Sequence, residues 1–296
     1  MSGKGIVLVA GATGVTGRMI VHKLLARGER VRALVREGSD HQDLVEAGAE
    51  IVFGDLKRPL SIREAMEGVD RVISTATASG RGGEDTIEAV DRIGTAALIE
   101  AAREAGVRRF VFVSAHGFED LPLALARAKT ESEKRLAASG VPWTVLRPGL
   151  FMDVWIGWVL GAQIANAGRV VVAGDKDARY GFVAAENVAD LAVAVLDEPR
   201  AENATIPFLF DVASFPEVVK KIGKAIGRSI PVEAAPAGES IDALPPVVVE
   251  IWERMSRNEP PEPTEEVARS FGIRPVTLDE YIERTFKAQP QGAPAA

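Results

Sequence analysis

The run Ile6-Val7-Leu8-Val9-Ala10 drops directly into Gly11-Ala12-Thr13-Gly14-Val15-Thr16-Gly17, and an amphipathic stretch from Arg18 to Ala26 follows without a break. A strand, a glycine turn and a helix start in that order restrict the fold more than any other feature of the chain. Gly11 allows a tight turn, Gly14 lets a backbone approach a pyrophosphate, and Gly17 lets the helix pack closely on the strand. The helix start then offers free N–H groups and the positive end of its dipole to phosphate. A glycine triplet alone is a weak signal; its place between strand and helix makes it a dinucleotide-binding signature.

Short β-branched runs alternate with helical patterns through the first half. Strands are predicted at 6–10, 31–35, 51–53, 71–75, 109–114 and 143–146, with helices at 17–27, 40–47, 61–67, 86–105 and 123–139. Several of these helices end at a glycine, as at Gly28, Gly48, Gly68, Gly106 and Gly140, where a left-handed C-cap is expected. The alternation predicts an α/β fold: a doubly wound parallel sheet of the Rossmann type, with helices on both faces and ligands at the carboxyl ends of the strands.

The pattern loosens after Pro148. A Trp-rich segment, 151–158, leads into a helical run to residue 167. Strands at 170–173, 206–210 and 230–233 and helices at 186–196, 214–226, 244–255 and 278–286 follow. The expected organisation is a dinucleotide-binding core over 1–150 and, over 151–288, the remaining sheet elements with a smaller C-terminal α/β substrate lobe. Residues 289–296, QPQGAPAA, read as a disordered tail, and NEPPEPT at 258–264 as a stiff surface loop.

Composition narrows the function classes. The net charge of −7 over 296 residues argues against a general affinity for nucleic acid, which needs a basic face. The absence of cysteine excludes disulfides, thiolate metal sites and a cysteine nucleophile. The three histidines, His22, His41 and His116, have no metal-ligand spacing, so no metal is expected. No apolar run approaches the roughly 18 residues of a membrane span, and the first apolar run leads into the glycine turn as no signal peptide does. The expectation is a soluble, cytoplasmic protein with a small-molecule substrate, with a homodimer left open.

The end of the second strand decides the cofactor. An NAD enzyme of this layout places an acid there to hold the ribose hydroxyls. Here Val31–Val35 ends at Arg36, whose guanidinium suits a 2′-phosphate, and Arg32 lies on the same strand parity. Glu37 follows at once and keeps NAD(H) open beside NADP(H). Asp55, after the third strand, could accept from the adenine amino group or simply cap a turn. The small residues Thr75, Ala76 and Thr77 after the fourth strand would let backbone run close to a cofactor.

These residues, taken together, resemble a known family. GATGVTG, Arg36, GDL at 54–56, VSA at 113–115, Lys129, WTVLRPG at 143–149 and FVAAENVA at 182–189 recur in that order in atypical short-chain dehydrogenase/reductases of the NmrA-like, NAD(P)H-binding group. The resemblance implies that Gly11, Thr13, Gly14, Val15 and Gly17 line the pyrophosphate, that Arg36 takes the 2′-phosphate and that Asp55 and Leu56 meet the adenine. It further implies that Thr75, Ala76 and Thr77 flank the ribose and nicotinamide, and that Lys129 bonds the nicotinamide ribose.

One departure matters. Ordinary members use Tyr-x-x-x-Lys, and here the tyrosine position is Leu125, which can neither give nor take a proton. The chain has only two tyrosines, Tyr180 and Tyr281. Candidate substitutes are His116, a donor near neutral pH or only a loop histidine, and Tyr180; Ser114 either bonds substrate or merely ends its strand. Phe151, Met152, Trp155 and Trp158 would form an apolar wall for a flat substrate, or else pack a core. The leading reading is an NADP(H)-dependent reductase of a quinone-like or conjugated carbonyl compound. The alternatives are a non-catalytic NADP(H)-binding redox sensor acting through a protein partner and, third, a sugar-nucleotide epimerase.

Overall fold

The structure, a computed structural model, describes residues 5–79, 81–119, 121–236, 238–242 and 244–287. The tail expected over 289–296 lies outside them. The described residues fall into two compact units. Unit 1 takes those within Met1–Ala115, Pro122–Arg147 and Val188–Ile206, and unit 2 those within His116–Leu121, Pro148–Asn187 and Pro207–Ala296. The chain passes through each of these units more than once.

Unit 1 opens with β1 (Ile6–Ala10), α1 (Val15–Ala26), β2 (Arg30–Val35), α2 (Gln42–Glu46), β3 (Glu50–Phe53), α3 (Pro59–Ala65) and β4 (Val69–Ser74). A π-helical segment, Ile87–Gly94, leads into α4 (Thr95–Glu104), where the sequence predicted one continuous helix. Then come β5 (Arg109–Val113), α5 (Ala124–Ala138) and β6 (Trp143–Pro148). With β10 (Ala204–Phe208) these strands make a seven-stranded sheet in the order β10-β6-β5-β4-β1-β2-β3. β1 runs parallel to β2 on one side and to β4 on the other, with Val9 level with Ala33 and Ile73. All five residues of β1 are buried, which is why that strand reads as a continuous apolar run. The direction of winding reverses between β1 and β4, so the Gly11 turn opens at the point where such sheets bind ligands. The expected left-handed glycines after the helices are present, Gly28 and Gly106 both at φ +70°.

Unit 2 contains β7 (Leu150–Phe151), a π-helical segment Asp153–Leu160, α6 (Gly161–Ala167), β8 (Val170–Val172) and β9 (Arg179–Val183). α7 (Ala185–Ala194) starts in unit 2 and continues into unit 1. β11 (Asp211–Ser214), α8 (Phe215–Ile226), β12 (Val232–Ala234), α9 (Pro246–Met255), α10 (Glu265–Phe271) and α11 (Leu278–Ile282) complete it. β9 pairs antiparallel with β11 and parallel with β7, while β8 and β12 pair parallel in a separate ribbon. Ser214 and Glu217 form a reciprocal capping box that starts α8 and points Phe215 into an aromatic core with Tyr180, Phe182 and Trp252. α10 went unpredicted, because its short apolar pattern sits directly after the Pro-rich loop. Among the described residues no helix is long and apolar enough to cross a membrane.

Candidate cofactor and active site

The three glycines of the first turn have separate physical reasons. Gly11 sits at φ +83°, and a Cβ there would lie 2.7 Å from the Thr75 hydroxyl and 2.9 Å from the Ala76 nitrogen. A Cβ on Gly17 would overlap the Gly11 carbonyl, so α1 can approach the turn only with glycine at that place. Gly14 is different: it has an ordinary negative φ, and the nearest atom to its notional Cβ is the Gly11 carbonyl oxygen at 3.4 Å. Little in the chain crowds Gly14, which leaves the space beside it for a ligand. Gly14 is also the N-cap of α1; no side chain caps that helix and no acid lies in its first turn. A dinucleotide pyrophosphate fits this cradle, since its oxygens can accept from the unbonded N–H groups. Arg18 holds the turn in shape by donating to the Thr13 carbonyl at 3.1 Å while also pairing with Asp43. Thr13 is half-buried, and Val15 is 58% exposed beside the turn.

Arg36 leaves the end of β2 half-exposed, as expected, but it does not stand free. It donates to the Asp85 carboxylate, which Lys57 also reaches at 2.7 Å. These contacts hold the Asp85 carboxyl below the usual carboxylate range and Lys57 above the usual lysine value. Neither Lys57 nor Asp85 was singled out from the sequence. Lys57 directly follows the Gly-Asp-Leu motif, a signal that could have found it; Asp85 lies 49 residues from Arg36 and carried none. Arg32 adds no charge here: it is spent on Glu50 at 2.8 Å and on the carbonyls of Ala65 and Glu67 at 2.8 and 2.6 Å. Asp55 accepts from the backbone of Lys57 at 2.8 Å, the geometry of a turn-capping aspartate. Leu56 is buried, and Gly94 packs against it so closely that a Cβ would lie 2.8 Å from the leucine Cβ.

A second cluster gathers at the ends of β4 and β5. The Thr75 amide donates to the Ala10 carbonyl at 3.0 Å, and Thr75, Ala76 and Thr77 stay partly accessible. Lys129 on α5 is buried over the Phe112 ring, donates to the Val113 carbonyl at 3.2 Å and lies 3.9 Å from Asp91. Burial pushes its ammonium below the usual lysine value, an effect opposed by Asp91 and Glu133. Asp91, in the π-helical segment, accepts from the Ala78 amide at 2.9 Å and so ties the loop after β4 to the lysine. π-helical turns of this kind recur at functional sites, and Asp91 is a residue that the sequence reading passed over. Leu125, one turn before Lys129, is buried. The Ser114 hydroxyl donates to Glu133, which also binds Arg147 at 2.5 Å. Ser114 is thus more than a strand end, but its proton is committed to a carboxylate.

The remaining candidates belong to unit 2. The His116 amide donates to the Pro148 carbonyl at 2.9 Å, and its buried Nδ1 has no hydrogen-bond partner among the described residues. Tyr180 is 3% exposed with its ring 4.8 Å from Phe215, and burial raises its pKa so that the phenol stays protonated. Met152 is fully buried, and Trp155 packs edge-on to Trp252 at 5.7 Å. Core packing therefore accounts for both without a ligand. Phe151 pairs across to Val183 and is half-buried, and Trp158 is 39% exposed.

Comparison with known proteins matches residues 11–199 to the family described as NAD(P)H-binding. The chain is 34% identical over 224 residues to the uncharacterized sugar epimerase YhfK of Bacillus subtilis (strain 168), covering 73% of this chain and 99% of that one. It is 29% identical over 227 residues to the NAD(P)H azoreductase of Xenophilus azovorans, covering 76% and 75%. It is 34% identical over 200 residues to the photosystem II assembly factor Ycf39 of Trieres chinensis, covering 67% of this chain and 62% of the length of that relative. Among solved structures, the triphenylmethane reductase of Citrobacter sp. complexed with NADP(H) superposes with a TM-score of 0.77 at 22% identity, covering 94% and 99%.

Proposed function

The chain belongs to the NAD(P)H-binding family, and from that premise we propose that it is an NADPH-dependent reductase of quinone-like or conjugated carbonyl compounds. The observation that carries the reading is the combination of a complete dinucleotide cradle and a buried Lys129 with Leu125 at the position of the usual tyrosine. A bound reduced nicotinamide supplies the hydride itself. What the chain must add is position. Gly11 to Gly17 and the start of α1 hold the pyrophosphate, and Arg36 with Lys57 takes the 2′-phosphate. Lys129 spends one of its three N–H bonds on Val113 and offers the others to the ribose hydroxyls. No step needs a proton from position 125. Quinones and conjugated carbonyls suit such a site because they accept hydride readily and can complete their reduction with a proton from water. Phe151 and Trp158, which keep accessible surface, are the candidates for touching a flat substrate.

The azoreductase relative supports a reductase. A relative named as an assembly factor supports the second reading, a non-catalytic cofactor-binding sensor, which Leu125 fits as well as it fits the first. The epimerase relative supports the third, which Leu125 disfavours because that chemistry usually depends on the missing tyrosine. The test is NADPH oxidation, followed by absorbance, against a panel of quinones, triarylmethane dyes and conjugated carbonyls, with NADH run in parallel. Turnover with one class and a preference for NADPH is the expected result. Tight cofactor binding with no turnover would transfer the assignment to the sensor.

A further inference from the structure

Three cations from three separate segments meet on one carboxylate. Arg36, at the end of β2, donates to one oxygen of Asp85, and the Lys57 ammonium donates to the other at 2.7 Å. The Arg81 guanidinium stands 3.6 Å from the oxygen that Arg36 binds. The Asp85 side chain is only 12% exposed, unlike its neighbour Glu84, which is 96% exposed and 4.0 Å from Lys57. An exposed ion pair is weakly held; a shielded carboxylate with both oxygens engaged by cations is held firmly.

Asp85 lies in a glycine turn that leads straight into a helix start. Thr86, the next residue, accepts from the Ala89 amide at 3.0 Å and anchors the following helical segment. On the other side lie Gly82 and Gly83, at φ +134° and +62°, with nothing within 4 Å of where a Cβ would be. The acid thus sits between a fixed helix start and a glycine pair with open space around it, in a turn that the Asp85 amide closes by donating to the Gly82 carbonyl at 3.2 Å.

We propose that Asp85 is a resident stand-in for the cofactor's 2′-phosphate and sets the preference between NADPH and NADH. The inference rests on the reading of Arg36 as the 2′-phosphate site. A carboxylate accepting from a guanidinium and an ammonium presents those cations with the same chemistry as one face of a phosphate. Asp85 already neutralises part of the charge that Arg36 and Lys57 offer, and two anions on the same cations repel each other, so the 2′-phosphate binds best as Asp85 withdraws. The apparent affinity for a 2′-phosphorylated ligand falls by the fraction of molecules in which the cations are released. A ligand without that phosphate makes no demand on them. Asp85 therefore tempers a preference that Arg36 and Lys57 would otherwise make steeper.

The experiment is calorimetric titration of the full chain with 2′,5′-ADP and with 5′-AMP, for wild type, Asp85→Asn, Asp85→Glu and Arg36→Ala. Wild type is expected to bind 2′,5′-ADP more tightly, and Arg36→Ala to abolish the difference. If Arg36→Ala leaves the difference intact, the 2′-phosphate reading of Arg36 fails and this inference with it. If that reading stands, Asp85→Asn should tighten 2′,5′-ADP about 5- to 10-fold with 5′-AMP unchanged. Asp85→Glu, which keeps the charge, should keep the wild-type ratio. A ratio unchanged in Asp85→Asn, a weakening of both ligands, or identical behaviour of the Asn and Glu variants overturns the role of Asp85 while leaving Arg36 in place.

Discussion

The hydroxyl of Ser114 donates to the carboxylate of Glu133, a residue 19 positions away that Arg147 grips from the other side at 2.5 Å. The proton of Ser114 therefore points at a carboxylate, and its oxygen lone pairs are what it can offer elsewhere. Ser114→Ala removes one hydrogen bond and should cost about 1 kcal/mol in urea unfolding. Glu133→Gln also removes the charge facing Arg147 and should cost about 2 kcal/mol. The reverse ranking would show that Ser114 does more than satisfy Glu133.

Gly14 and Gly17 separate binding from folding. Gly14→Ala adds a methyl whose nearest neighbour is the Gly11 carbonyl oxygen at 3.4 Å, so stability should change by less than about 1 kcal/mol. NADPH binding should nevertheless fall at least about 10-fold, a loss of roughly 1.4 kcal/mol, because the methyl occupies the pyrophosphate's approach. Gly17→Ala drives a methyl into the Gly11 carbonyl and should cost about 1–3 kcal/mol of stability as well as binding. Thermal unfolding with and without NADPH distinguishes the two; normal binding by the Gly14→Ala variant would remove the pyrophosphate from this turn.

Arg36→Glu replaces the cation proposed to take the 2′-phosphate by an anion, and the new carboxylate also faces Asp85. NADPH affinity should drop about 100-fold, equivalent to roughly 2.7 kcal/mol, with little change for NADH. Fluorescence titration of both cofactors is the measurement, and an equal loss for the two would contradict the 2′-phosphate assignment.

Lys129 makes stability depend on pH in a direction that can be derived. Burial lowers its folded pKa below the unfolded value near about 10.4. Between the two values the unfolded chain holds a proton that the folded chain has released, so stability rises with pH across that window and levels off above it. Urea unfolding from neutral to alkaline pH should show wild type gaining on Lys129→Met over that range. A constant difference would mean that the buried ammonium carries no penalty.

Local chemistry was legible in the chain. The strand, glycine turn and helix at 6–26 were readable because Gly11 and Gly17 answer to neighbours within the same short segment. The parallel sheet was readable because a buried strand needs an apolar run such as β1 and a crossover needs a helix of amphipathic period. The π-helical break before α4 was not, since one extra residue per turn barely disturbs an amphipathic pattern. Trp155 shows the same limit from another side: helical spacing marks an apolar face but not what covers it, and here the cover is Phe215 and Trp252.

The sequence by itself determined the fold class, the dinucleotide cradle and the missing tyrosine at Leu125, because each is written in contiguous residues with a backbone requirement of their own. Only the tertiary structure decided which charges oppose each other. Asp85 on Arg36 and Lys57, Asp91 near Lys129, and Glu133 on Ser114 join residues up to 49 positions apart. Such pairs leave no periodic signal, since a carboxylate's partner is set by where the chain brings it and not by what stands next to it.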